Sequence, residues 1–186
     1  MIEEAVQKRI EKPVLEPRVR FTLQDANRAG EAWNFNCGPG ALCAVLKLTP
    51  DEIRPKMGDF EQKYYTNPTL MKEVLRRCGA SQFLVYRADK PGIAIPEKLD
   101  NAVVRIQWSG PWTKPGVPMQ ARYRQTHWIA VRKNSAEVFD VNAMCVGGWV
   151  PRDGWENELA PWLIREVVPK ADGGWWPTHA IEVRVP

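Results

Sequence analysis

No stretch of this chain approaches the ~20 consecutive apolar residues that a membrane-spanning helix requires, so no membrane partner is expected. Metal chemistry is as poorly provided for. The two histidines and the four cysteines (Cys37, Cys43, Cys78 and Cys145) form no C-x-x-C pair and no zinc spacing. The amino terminus, Met1-Ile2-Glu3-Glu4-Ala5, is acidic and polar, without the basic and apolar regions of a secretory signal. It predicts a cytoplasmic protein with free thiols rather than disulfides. Charge of one sign is not concentrated anywhere: the net charge is +4 and acids are interspersed through most of the chain. The segment Arg122-Tyr123-Arg124 is the nearest thing to a basic stripe and is too short for a nucleic-acid footprint. There is no internal repeat and no linker, so residues 1–186 are read as one domain.

What is present is ordinary in bulk and unusual in detail. Hydrophobic content of 44% and charged content of 26% suit a globular fold with a sizeable core. Sixteen prolines predict many loops, and nine tryptophans predict an aromatic core or a groove that grips a ligand. Local patterning predicts helices first. Residues 1–12 read as an amphipathic helix ended by Pro13, and residues 18–23 alternate weakly, as a strand does. A buried helix is expected at about 37–47, a capped start at Thr49-Pro50-Asp51-Glu52, and a third helix over residues 69–78 closed by Gly79. Strands follow at 82–86, 102–106, 128–131, 137–139 and 179–185, with a helix from Glu156 to Val167 before the last. Helices followed by an antiparallel sheet predict an α+β fold. The long Pro/Gly loop from Ser109 to Gln125 leads directly into His127.

The chemistry concentrates at Asn36-Cys37-Gly38-Pro39-Gly40-Ala41-Leu42. Here polar and glycine residues give way to an apolar run, which places Cys37 at a helix N-terminus. Free N–H groups and the positive end of the helix dipole favour a thiolate there. His127 opens one expected strand and Asp140 follows the next, thirteen residues later. A hairpin through Lys133-Asn134-Ser135 would make the two neighbours. Asp140, or Asn142 beside it, would orient the imidazole toward Cys37. His179 is the alternative histidine, but no aspartate or asparagine follows it. Cys43 and Cys78 fall in apolar helical runs and read as packing residues.

These segments, with Thr126-His127-Trp128-Ile129-Ala130-Val131 and Val138-Phe139-Asp140-Val141-Asn142, resemble the papain-like cysteine peptidase superfamily. Within it the chain is most similar to the bacteriocin-processing (double-glycine) peptidases. The resemblance covers residues 30 to 142 in outline. It implies a papain-like α+β fold, with the nucleophile-bearing helix packed on an antiparallel sheet. It also implies a Cys37, His127 and Asp140 triad and a peptide or protein substrate, with no cofactor. The superfamily places a glutamine six residues before the cysteine as oxyanion donor. This chain has Glu31 there, and an ionised carboxylate only accepts. Asn34 is the first substitute, followed by Gln24 and the Trp33 indole N–H, with the Cys37 N–H as second donor. Trp33, Trp112 and Trp128 are candidate walls of a substrate cleft. The triad serves a peptidase, but equally a glutamine deamidase, a transamidase or a cell-wall peptide amidase. Glu31 also motivates a third expectation, a binding module without turnover.

Overall fold

The computed structural model describes residues 19–87, 91 and 94–185, and the helix expected over residues 1–12 lies outside them. The weak alternation at 18–23 does not become a strand. Residues 19–21 bend, and Thr22 caps the helix α1, Leu23–Trp33. The Thr22 hydroxyl accepts from the Asp25 N–H, while the Asp25 carboxylate accepts from the Thr22 N–H at 2.9 Å. Two helix-start amides are satisfied by one reciprocal capping box, and this outweighs a three-pair alternation. Asn34, at φ 60°, ends α1 in the left-handed conformation that asparagine tolerates.

Helix α2, Cys37–Leu46, follows after two residues. Every residue from Gly38 to Leu46 is buried, so α2 is a central rod and not an amphipathic surface helix. Each of its fully buried Leu and Val side chains contributes roughly 1.5–3 kcal/mol of transfer free energy. The short helices α3, Pro50–Ile53, and α4, Phe60–Lys63, and the longer α5, Pro68–Arg77, complete the layer around it. Helix α5 buries Leu70, Met71, Val74 and Leu75 and is followed by Gly79 at φ 73°, close to the expected limits.

The strands are β1, Ser81–Arg87; β2, Ala102–Trp108; β3, Thr126–Arg132; β4, Glu137–Phe139; β5, Trp149–Pro151; and β6, Trp175–Arg184. They form one antiparallel sheet in the order β1-β6-β2-β3-β4-β5. β5 was not expected from the sequence, and β6 begins four residues earlier than expected. Pro177 lies inside β6 and cannot donate to the ladder. The register slips there, and the Thr178 hydroxyl donates to the Arg105 carbonyl instead. The β3–β4 turn keeps Lys133, Asn134 and Ser135 all at positive φ.

The sheet separates two cores. On one face Val103, Trp128, Ala130 and Ile181 pack against α1 to α5. On the other, Val104, Ile106, Ile129 and Val131 pack under Trp155, Leu159 and Leu163. The last three come from a helical run that was expected as one helix. It consists of α6, Arg152–Gly154, a π-helical segment Trp155–Leu159, and α7, Ala160–Glu166. The Ser109–Gln125 connection holds only short helical turns, at Pro111–Thr113 and Met119–Arg122. Among the described residues no helix is long and apolar enough to cross a membrane.

Candidate active site

Cys37 is the first residue of α2. The Asn36 side chain caps the helix by accepting from the Gly38 N–H at 3.2 Å, and its amide reaches the Tyr64 carbonyl at 3.3 Å. The Cys37 N–H occupies the first helical position and has no carbonyl within the helix to reach. Gly38 is required by a close approach: a Cβ there would lie 2.2 Å from the Thr66 hydroxyl oxygen. Thr66 is held in turn by its carbonyl, which accepts from the Trp128 indole N–H at 2.7 Å. The chain is thereby pinned on both sides of Cys37, which is half-buried.

His127 enters β3 opposite Ile106, and its ring stacks on Trp108 with centroids 5.7 Å apart. Nε2 meets the Asp140 carboxylate at 2.8 Å. The other ring nitrogen is left for Cys37, whose thiol hydrogen-bonds to His127 and also accepts from the Trp128 N–H. Asp140 is fully buried and its carboxylate is saturated. One oxygen takes the His127 ring and the Trp155 indole N–H, each at 2.8 Å. The other takes the Asn142 N–H and side-chain amide, each at 2.9 Å. Of the two orienting residues left open by the sequence, Asp140 touches His127, and Asn142 holds Asp140.

Charges are tuned by these contacts. Burial pushes the Cys37 thiol up, but the His127 charge and hydrogen bond and the Trp128 N–H outweigh it, and the thiol lies below its ordinary value. Burial alone would lower His127, yet the Asp140 and Cys37 charges raise it to about 10. Asp140 is raised by burial and lowered more strongly by His127, Trp155 and Asn142, with a net downward shift. A protonated imidazole against the Asp140 carboxylate is therefore favoured, and Cys37 beside it is shifted toward the thiolate. Cys43, by contrast, is pushed well above the ordinary thiol by burial, with no cation to offset it.

The remaining sequence candidates are dispersed. Gln24, Glu31 and Asn34 are exposed on α1 or at its end, and among the described residues no hydrogen bond links them to Cys37 or His127. Asn34 is accounted for as the α1 cap. Trp33 and Trp128 do not wall an open cleft, because both are core residues, 3% and 2% exposed. Trp33 packs edge-on against Phe35 and Phe60. Trp112 is half-buried, its indole donating to the Trp108 carbonyl at 2.7 Å. Trp108 and Trp155, which do touch the His127–Asp140 pair, escaped the sequence reading. The available signal was indirect: a buried carboxylate needs several donors, and indole N–H is one that an apolar layer can supply.

Among the described residues no cluster of His, Cys, Asp and Glu could hold a metal ion. Comparison of the chain with protein-family models, with curated proteins and with solved structures finds no match in any of the three.

Proposed function

We propose that this chain is a thiol hydrolase cleaving amide or isopeptide bonds through Cys37, His127 and Asp140. The observation that carries the proposal is the saturated, fully buried Asp140 clamping His127 at 2.8 Å while Cys37 hydrogen-bonds to the same ring. A buried carboxylate held this way costs desolvation that a purely structural site has little reason to bear.

In the mechanism, the Cys37 thiolate attacks the carbonyl carbon, forming the C–S bond and a tetrahedral oxyanion. The Cys37 N–H at the start of α2 is positioned to stabilise that oxyanion. His127 gives its proton to the leaving nitrogen as the C–N bond breaks. It then takes a proton from water, whose oxygen attacks the thioester; the C–S bond breaks to release the acid and the Cys37 thiolate beside the protonated His127. Asp140 holds the tautomer throughout. Deamidation and transamidation share the acyl-enzyme and differ in the nitrogen released or the acceptor used.

The test is alkylation of the folded protein with iodoacetamide. Cys37 is expected to react at least about tenfold faster than Cys43, Cys78 and Cys145, with a midpoint below that of a free thiol. Equal rates at Cys43 or Cys145 would remove the activated nucleophile. Mass spectrometry of candidate peptides then separates the outcomes: two fragments for a peptidase, about one dalton gained for a deamidase.

A further inference from the structure

The triad leaves one buried charge unused. Side chains alternate along β2, so Val103 and Arg105 share the sheet face that carries Trp128 and α2. Arg105 is 7% exposed. Its Nη2 donates to the Thr126 hydroxyl at 3.3 Å and to the Tyr123 carbonyl at 3.5 Å, and its guanidinium lies 5.2 Å from the centre of the Tyr123 ring. Its Nε–H is buried without a partner. These contacts are neutral groups, and among the described residues no carboxylate forms an ion pair with Arg105. A cation taken out of water with only dipoles around it is costly. Arginine does not escape that cost by losing its proton.

The missing anion is found beyond the neighbouring strand. Trp128 is the partner of Arg105 on β3, so their side chains stand together on one face. The Trp128 N–H donates to the Cys37 sulfur. Burial lowers the Arg105 guanidinium from its ordinary value, and Tyr123 and Cys37 work against that. Of these two, Cys37 is the group that turns anionic first, because a phenol ordinarily titrates near ~10. The charges of the site then balance only with Arg105 included. The His127 imidazolium is matched by the Asp140 carboxylate at 2.8 Å. A Cys37 thiolate adds an anion for which the triad has no further cation, and Arg105 adds a cation with no carboxylate of its own.

We propose that Arg105 is the second counter-charge of the Cys37 thiolate, a positioning residue that keeps the nucleophile ionised without touching substrate. Its charge persists at any pH the folded protein meets, so the thiolate retains one cation even where His127 has become neutral. The catalytic consequence rests on the thiol hydrolase reading; the electrostatic pairing itself does not.

The test is the pH profile of Cys37 alkylation by iodoacetamide in wild type, Arg105→Gln and Arg105→Lys. The other titratable groups around the pair are His127 and Asp140 beside Cys37, and Tyr123 and His179, the latter opposite Arg105 on β6. Neither variant alters them. Arg105→Gln should raise the Cys37 midpoint by about one pH unit, a roughly tenfold loss of thiolate below it, and Arg105→Lys should restore most of the loss. Cys43, buried on the same helix, should stay slow to alkylate in both, as a pure charge effect requires. An unmoved midpoint in Arg105→Gln, or an equal rise in Arg105→Lys, overturns the proposal. If Arg105→Gln instead exposes Cys43, the wild-type protein decides. Its Arg105 Nε–H resonance should shift with the Cys37 midpoint and stay still over the same range in Cys37→Ala. A wild-type resonance that does not move through that midpoint also overturns the proposal. A low wild-type midpoint that Arg105→Gln leaves alone keeps the hydrolase reading and removes the pair. An ordinary wild-type midpoint that still rises in Arg105→Gln keeps the pair and removes the activated nucleophile.

Discussion

The two faces of the sheet do different work at the site. The face carrying α2 packs α1 to α5 through aliphatic side chains such as Leu42, Val45, Ile53 and Leu75 together with the rings of Trp33, Phe60, Trp128 and Phe139. It supplies a rigid helix start, and with it Cys37. The opposite face is packed around Trp108 and Trp155 as well as aliphatics. It supplies a ring against His127 and an N–H for Asp140. On the α2 side an indole holds backbone: Trp128 donates to the Thr66 carbonyl, and Thr66 packs on Gly38 beside Cys37. On the opposite side an indole holds a side chain: Trp155 excludes water from Asp140 and still donates to it. Cys37 comes from the first layer and the surroundings of the His127–Asp140 pair from the second, and they meet at the start of β3.

The comparison is broken most severely at Asp140. Asp140→Ala leaves His127, Trp155 and Asn142 without their acceptor and should cost about 3–5 kcal/mol in denaturant unfolding. The pH dependence has a definite sign. His127 is raised from 6.5 to about 10, so its pairing with Asp140 stabilises the fold fully below 6.5 and is lost as pH rises through about 10. Asp140 is lowered from 3.8, so its contribution is lost as pH falls below that value. The stability gap between wild type and Asp140→Asn should be widest between these limits and should shrink at both ends. A gap constant from pH 5 to pH 10.5 would show that the pair is not an ion pair.

Trp155→Phe sharpens the division of labour. It keeps an aromatic ring in the layer and deletes only the donor to Asp140. Loss of a hydrogen bond to a charged acceptor should cost about 1.5–3 kcal/mol. If Trp155 positions Asp140 rather than merely filling space, the His127 titration, raised to about 10 by its pairing, should also move to lower pH when followed by NMR. Lost stability with an unmoved His127 titration would reduce Trp155 to packing.

The helix side of the site was far more legible in the sequence than the side that carries Trp108 and Trp155. Asn36-Cys37-Gly38-Pro39 is a local signal: cap, nucleophile and helix start are adjacent, and the apolar run that follows can only be a buried element. The pairing of His127 with Asp140 was also accessible, because a hairpin with its turn at Lys133–Ser135 makes it a consequence of strand register. Trp155 and Trp108 were not, because nothing local distinguishes an indole that bonds Asp140 from one that fills space. Gln24, Asn34 and Trp33 were chosen by proximity to Cys37 along the chain, but α1 turns their side chains to solvent or into the core. The strand expected at 18–23 was lost to the Thr22 capping box, a four-residue signal stronger than the alternation around it.

The smallest effects test the contrast with one kind of substitution made on both sides. Gly38→Ala places a methyl 2.2 Å from the Thr66 hydroxyl, within a segment already tied to Trp128 and Asn36. The loop cannot retreat without losing the Trp128 bond, so this change should cost about 1–3 kcal/mol and slow Cys37 alkylation. Gly154 ends α6 immediately before Trp155, with ordinary helical angles (φ −65°, ψ −39°) and nothing within 4 Å of an added methyl. Gly154→Ala removes backbone entropy from the unfolded chain and meets no resistance, so it should stabilise by about 0.5–1 kcal/mol and leave alkylation unchanged. Opposite signs from the same methyl group would place the tight tolerances of the fold around Cys37. A destabilising Gly154→Ala would mean that the π-helical segment carrying Trp155 is as closely constrained as the nucleophile helix.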